Sequence, residues 1–297
     1  MKYIITGSIG NISKPIVKQL TAAGHKVTVI SSNAANKAEI EKLGATAAIG
    51  SIQDRDFLKQ AFAGADAAYL MIPPNWAATD FPAYQKEVAD NYVYAVRENN
   101  IKYVVQLSSI GAHMRKGAGP IDGLAYLEEQ LGTLKDTNVK MLRPAYFYYN
   151  LHSMGSLVKQ AGIMGANFGN TEEKALLVHT DDIAEEASKQ LLDLDFKGHS
   201  FVYIVSDERH ATEIAEVLGK AINKPNTPWI TFKDEESLQG MLQAGLSQTM
   251  AEGYTQMGKA FREGLIQEDY LKNNIKPAGK VKLEDFAKEF AAVYAQS

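Results

Sequence analysis

Two glycines, Gly7 and Gly10, stand in the stretch TGSIGNIS (Thr6 to Ser13), between a short apolar run and a segment of helical period. In that order the amides of Ser8, Ile9, Gly10, Asn11 and Ile12 come to a helix N-terminus. Unpaired N–H groups and the positive end of the helix dipole there attract an anion such as a diphosphate. Gly7 permits the tight turn, and Gly10 lets backbone approach a ligand with no Cβ in the way. Ser13 stands where a third glycine would bring helix against strand. Such a turn also occurs for structural reasons alone, but its place at the first strand-to-helix junction favours a dinucleotide.

The end of the second apolar run reads ISSNAANK. An acidic residue at that point would bind both ribose hydroxyls and favour NAD(H). Here Ser31, Ser32 and Asn33 offer hydroxyls and an amide, with Lys37 close behind and no carboxylate among them. NADP(H) is therefore expected over NAD(H), although no arginine is present to hold a 2′-phosphate.

Residues for proton transfer are sparse. A Tyr-x-x-x-Lys pair would let the lysine lower the phenol pKa so that tyrosine passes a proton as hydride moves. No tyrosine in the chain has lysine four residues on; Tyr126 with Gln130 is the nearest analogue. His113, just past Ser108 and Ser109, could donate a proton to a reduced substrate or be an exposed loop histidine. Tyr126 and His113 are thus the catalytic candidates. Ser108 ends a central strand, where it could touch a nicotinamide, and no base is tied to it by sequence to make it a nucleophile.

For a substrate wall, the segment RPAYFYYNLHSMG places Tyr146, Phe147, Tyr148 and Tyr149 in one run, followed by Asn150. Each aromatic alone suits a core, whereas the group ahead of a Gly-rich loop suits a wall. Trp76, behind Ile72-Pro73-Pro74, fits either a ligand-facing loop at the sheet's carboxyl edge or surface packing. Asp181-Asp182 reads as an N-terminal cap and first-turn charge of a helix, and with His179 it is a poor ligand pattern, so no metal is expected.

Alternating segments must position these groups. Strands are expected at Tyr3–Ile5, Lys26–Ile30, Thr46–Ile49, Ala67–Ile72, Tyr103–Leu107 and Lys140–Leu142. Between them helices are expected at Ser13–Ala23, Ala35–Leu43, Asp56–Ala63, Tyr84–Asn99 and Ala125–Asp136. This alternation implies right-handed crossovers and a doubly wound, Rossmann-type parallel α/β sheet. The expected division is a dinucleotide-binding core at 1–150, to which 175–207 returns, and a smaller, mainly helical lobe of 151–174 and 208–297. Ala175–Val178 and Ser200–Val205 are read as returning strands, and Ile163–Thr171 as a mobile loop.

The bulk properties limit the partners. With 297 residues, 45% hydrophobic and 22% charged, the chain can bury a full core. A net charge of -4 gives no field to draw in nucleic acid. The absence of cysteine rules out disulfides and thiolate chemistry. The first apolar run is too short for a secretory signal, and none reaches the roughly 18 residues of a membrane helix. A cytoplasmic protein that acts on a small molecule, with no nucleic-acid or membrane partner and with a homodimer left open, is the expectation.

TGSIGNIS, then IGSIQDRDFLKQAFAGADAAYLMIPP, VVQLSSIGA, VKMLRPAYFYYNL and FKDEESLQGMLQAGLS together are similar to the NmrA-like branch of the atypical short-chain dehydrogenases. The likeness is greatest to its NADPH-dependent quinone and triphenylmethane-dye reductases and runs over most of the chain. It implies that Gly7, Ile9, Gly10, Asn11 and Ile12 lie on the pyrophosphate and Ser32 and Asn33 near the adenosine ribose. It also implies Ser51 and Ile52 by the adenine, and Ile72 and Pro73 by the nicotinamide-side ribose. Ser51 departs from the aspartate common there; Asn150 matches the family's asparagine. Quinones and cationic dyes are electron-poor and accept hydride with little help from an acid, so proximity and apolar walls would suffice. Two functions remain open from sequence: an NADPH-dependent reductase of such acceptors, and a non-catalytic regulator that senses the NADP redox state.

Overall fold

The computed structural model describes residues 1–169 and 174–296. In chain order the first elements are β1 (Lys2–Ile5), α1 (Ser13–Ala22), β2 (Lys26–Ser31), α2 (Lys37–Lys42), β3 (Thr46–Ile49) and α3 (Arg55–Ala61). There follow β4 (Ala67–Leu70), α4 (Phe81–Glu98), β5 (Tyr103–Leu107), α5 (Pro120–Leu131), β6 (Asn138–Pro144), β7 (Tyr146–Phe147), α6 (Met154–Ala161) and β8 (Met164–Ala166). The rest comprises β9 (Ala175–Val178), α7 (Thr180–Asp193), β10 (His199–Ile204), β11 (Asp207–Arg209), α8 (Ala211–Ala221) and β12 (Trp229–Thr231), then α9 (Asp234–Gln243), α10 (Gln248–Arg262), α11 (Glu268–Lys272) and α12 (Leu283–Gln296).

The chain divides into two compact units. The first holds Met1–Ser109, Gly123–Arg143 and Ile183–Val202; the second holds Ile110–Asp122, Pro144–Asp182 and Tyr203–Ser297. A seven-stranded sheet runs through the first in the order β10-β6-β5-β4-β1-β2-β3. The pairs β1–β2, β1–β4, β2–β3, β4–β5 and β5–β6 are all parallel. The hydrogen bonds Val139 N–H to Gly198 and Ala145 N–H to Ile204 advance equally on both strands, so β10 is parallel to β6 too. The sheet is thus Rossmann-like.

Sequence explains the local elements. β4 is AAYL, buried at every position as a central strand covered on both faces must be. α1 buries Ile16, Val17 and Leu20 at helical spacing and exposes Lys18 and Gln19. Asp54 and Asp80 cap α3 and α4 by accepting the amides of Phe57 and Ala83, each at 3.0 Å. α4 carries proline in its first turn, where no helical donor is lost. Its expected start at Tyr84 is therefore three residues late, and α5 likewise begins at Pro120, before the expected Ala125.

Two expectations are overturned in the second unit. Ala175–Val178 does not return to the large sheet: it pairs with β7 and β11 in a three-stranded sheet. A buried strand of four apolar residues has no local feature that selects one sheet over another. Ile163–Thr171 is not wholly loop, because Met164–Ala166 within it forms β8, which pairs in parallel with β12. Gly165 serves close approach there, since a Cβ would come 2.2 Å from the Ile230 carbonyl oxygen; Asn170 and Thr171 lie outside the described residues. This unit's core includes Tyr148, Leu151, Leu177, Leu218, Phe286 and Phe290, with α12 contributing both phenylalanines. No helix among the described residues is long and apolar enough to cross a membrane.

Candidate functional site

In the first unit the carboxyl ends of four neighbouring strands are tied together. Thr6, which ends the β1 run, is buried; its hydroxyl donates to the Tyr69 carbonyl at 3.1 Å and accepts the Met71 amide at 2.8 Å. The Ser8 amide donates to the Ile30 carbonyl at 3.1 Å, and the Gly50 amide to the Ser31 carbonyl at 3.0 Å. Chain order reverses between β1 and β4, and at such a switch point the carboxyl ends of open α/β sheets leave a crevice for a ligand.

The glycine turn sits at this point. Gly7 has φ +85°, and a Cβ would meet Ser13 Oγ at 2.7 Å and the Met71 side chain at 2.9 Å, so no other residue fits without a shift. Ser13 Oγ donates to the Thr6 carbonyl at 2.9 Å, joining the start of α1 to the end of β1. The third glycine position is thus filled by a buried hydroxyl that does the same packing.

Not all the amides expected to face an anion are available. That of Ser8 is used by Ile30, and that of Gly10 donates to the Gly7 carbonyl at 3.2 Å. The amides of Ile9, Asn11 and Ile12 have no acceptor among the described residues. No side chain caps α1 and no acidic residue occupies its first turn, so the helix's own residues leave its positive end to an anion. Gly10 and Asn11 are exposed. The cradle fits a diphosphate group by its donors, its charge and its missing Cβ.

The residues expected near the ribose follow β2. Ser32 and Asn33 are exposed at the end of β2, and Asn33 Oδ1 accepts the Ala35 amide at 3.0 Å. Lys37 Nζ is 4.0 Å from Glu41 in an exposed pair along its own helix. Sequence reading missed Asn36. Its Nδ2 donates to Ser8 Oγ at 2.9 Å and reaches Ser31 Oγ at 3.3 Å, a link between loops that no local motif signals.

Ser51 and Ile52 follow β3. Ser51 Oγ accepts the Gln53 amide at 3.1 Å, and the carbonyls of Ile52 and Gln53 accept Nδ2 of buried Asn91 at 3.4 and 3.0 Å. Ile72 is buried, and the Pro73 carbonyl accepts the Tyr84 hydroxyl at 3.1 Å. Burial pushes the Tyr84 phenol up to about 12. Trp76 is 60% exposed on the loop that follows.

Ser108 and Tyr126 are committed elsewhere. Ser108 is buried and its hydroxyl donates to Glu128 Oε1 at 2.5 Å. The Tyr126 hydroxyl donates to Asp90 Oδ1 at 2.8 Å, under Lys86, which lies 5.1 Å from the ring centroid and 2.7 Å from Asp90 Oδ2. Desolvation and the Asp90 carboxylate raise this phenol's pKa, outweighing the lysine. The Tyr126 hydroxyl is thus engaged by Asp90, and the nearby lysine does not lower its pKa as in a Tyr-x-x-x-Lys pair.

In the second unit His113 is not the exposed loop residue expected as one reading. Gly111, at φ +88°, turns the chain into a short 3-10 helix, Ala112–Met114, and both His113 ring nitrogens are shielded from solvent. Tyr146 is half-buried in an aromatic cluster, its centroid 5.5 Å from Phe168 and 6.0 Å from Phe261 in edge contacts. Phe147 is half-buried beside it in β7; Tyr148 is fully buried, stacked on Phe286 at 5.2 Å. Asn150 is exposed, and its carbonyl accepts the Ser153 hydroxyl at 2.8 Å.

Asp182 is more than a first-turn charge. It is buried and accepts the Ser206 hydroxyl at 2.6 Å and the Lys280 and Val281 amides at 2.9 and 3.3 Å, anchoring the segment ahead of α12. The cap is His179, whose Nδ1 accepts the Asp181 amide at 3.1 Å. Among the described residues no three His, Cys, Asp or Glu side chains are grouped to hold a metal ion.

A parallel sheet with a glycine turn and free amides at its switch point defines a dinucleotide-binding α/β protein. The chain belongs to the NAD(P)H-binding family, which it matches over residues 7–160, more than half its length. An NAD(P)H azoreductase of Xenophilus azovorans is 20% identical over 299 residues, with 98% of each chain covered. Among solved structures, the NADPH-dependent quinone oxidoreductase of Escherichia coli in complex with NADPH is similar, with TM-score 0.80 and 16% identity, covering 97% of this chain and 99% of that one. The triphenylmethane reductase of Citrobacter sp., complexed with NADP(H), has TM-score 0.78 and 18% identity, covering 98% of this chain and all of that one. At these identities the structural likeness establishes the fold. The chain is thus an NAD(P)H-binding protein with this Rossmann-like fold.

Proposed function

We propose that this chain is an NADPH-using reductase that delivers hydride to a quinone, a triphenylmethane dye or a similar conjugated small molecule. The observation that carries the reading is the loop Gly7–Ile12, where three unengaged amides face a helix end free of acidic side chains. The activities named for the azoreductase, the quinone oxidoreductase and the dye reductase support the acceptor class. The lack of a carboxylate in ISSNAANK supports NADPH over NADH.

In this reading the amides of Ile9, Asn11 and Ile12 hold the diphosphate, and Gly10 gives it access to the backbone. Ser32 and Asn33 meet the adenosine ribose, Ser51 and Ile52 the adenine, and Ile72 and Pro73 the nicotinamide-side ribose. When bound, the dinucleotide would supply the hydride; a reduced quinone would take its proton from water, whereas a cationic triphenylmethane dye becomes neutral on hydride addition alone. Tyr126, held by Asp90 with a raised pKa, is not asked to donate a proton. The residues of the chain therefore act by binding and orienting, which for an electron-poor acceptor supplies most of the rate.

The test is loss of reduced-nicotinamide absorbance with a panel of quinones, triphenylmethane dyes and azo dyes, beside a titration of NADPH and NADH. Turnover of a conjugated acceptor with NADPH favoured supports the reading. Binding of NADPH with no turnover of any acceptor would replace it by the redox-sensing regulator.

A further inference from the structure

We propose that Asn36 is a positioning residue for the dinucleotide, clamping the phosphate turn to the ribose-side loop through the Ser8 hydroxyl; this rests on the dinucleotide reading above. Ser8 is a non-glycine residue at φ +55°, in the left-handed region, where a side chain must be held by its surroundings. Three bonds hold it. Its amide donates to Ile30, its hydroxyl donates to Ser31 Oγ at 2.9 Å, and Asn36 Nδ2 donates to that hydroxyl at 2.9 Å. Ser31 is buried and exchanges hydrogen bonds with the Asn33 backbone at 3.2 Å, while the Asn36 amide donates to the Asn33 carbonyl at 3.1 Å.

The turn before Ile9 and the loop Asn33–Asn36 thus form one hydrogen-bonded body, although Ser8 and Asn36 are 28 residues apart. Ser8 sets the direction in which the chain enters Ile9-Gly10-Asn11-Ile12, so the clamp aims the amides assigned to the diphosphate. A carboxamide suits the place better than a carboxylate. It donates to the Ser8 hydroxyl, and it brings no negative charge beside a cradle built for an anion.

The test uses calorimetric titration of the full chain with NADPH and with ADP, which carries the diphosphate but no nicotinamide. Two lost hydrogen bonds of ordinary net strength correspond to a weakening of about tenfold. Asn36→Leu is expected to weaken both ligands by that factor and to raise the KM for NADPH while kcat stays within about twofold, as for lost uniform binding. Ser8→Gly removes the side chain through which Asn36 acts, and glycine adopts the left-handed turn unaided. In that background Asn36→Leu loses only its longer bond to Ser31 Oγ at 3.3 Å, so its effect should fall well below about tenfold, a coupling that general destabilisation would not produce. Unchanged affinities in Asn36→Leu, or full additivity with Ser8→Gly, overturn the proposal. Failure of the unaltered chain to bind either ligand overturns the dinucleotide reading itself, and the clamp with it.

Discussion

Arg143 meets Glu128 in a bidentate pair, Nη2 to Oε2 at 2.6 Å and Nε to Oε1 at 3.0 Å, with side chains only 9% and 10% exposed. The pair joins β6 to α5, and the Ser108 hydroxyl completes it. Removing one member would leave a buried charge without compensation. Glu128→Ala is expected to lower unfolding free energy by about 3–5 kcal/mol, measured by denaturant titration.

The two glycines of the phosphate turn should fail differently. Gly7→Ala introduces a Cβ into contact with Ser13 and Met71 at a positive φ, so its effect is on folding, at least about 1–2 kcal/mol. Gly10→Ala meets only the Gly7 carbonyl, at 3.3 Å, and should fold almost normally. Its loss is in NADPH affinity, and Gly10→Asp, which sets a carboxylate against the diphosphate, should abolish binding. Melting temperatures and titrations on the three variants separate the effects.

Tyr126→Phe should leave kcat/KM for a quinone or dye within about twofold, because the hydroxyl serves Asp90 and not the acceptor. Asp90 keeps Lys86 at 2.7 Å in the variant. A loss of about a hundredfold or more, the size of a general-acid contribution, would restore the phenol to the mechanism.

Acid should weaken the second unit through His152. Burial against Phe286 and Phe290 lowers its pKa below the ordinary value of 6.5, with Glu289 opposing. Above that value the ring is neutral folded and unfolded, and nothing changes with pH. As pH falls through 6.5 the unfolded chain takes the proton first, so stability drops until the lower folded pKa is reached. Unfolding curves between neutral and mildly acid pH should show this decline, and His152→Phe should flatten it.

Much of the first unit was legible because its information is local. Thr46–Ile49 and Tyr103–Leu107 are strands with the expected bounds, and the glycine turn stands where spacing put it. Short strands such as Asp207–Arg209 and Trp229–Thr231 were not legible, since three residues carry no period and are held by partners far along the chain. Asp182 illustrates the same limit: its place before a helix suggested a cap, but its acceptors are used by Ser206, Lys280 and Val281.

The sequence by itself determined the alternation of strand and helix, the parallel sheet that follows from it, and a backbone turn able to receive an anion. Each depends on properties of neighbouring residues: side-chain period, φ preference and helix-end donors. Only the tertiary structure decided that Ser8 leans on Asn36, that Tyr126 is held by Asp90 and Lys86, and that Ser108 belongs to a buried ion pair. Hydrogen bonds between groups tens of residues apart are chosen by packing, and no spacing along the chain records them.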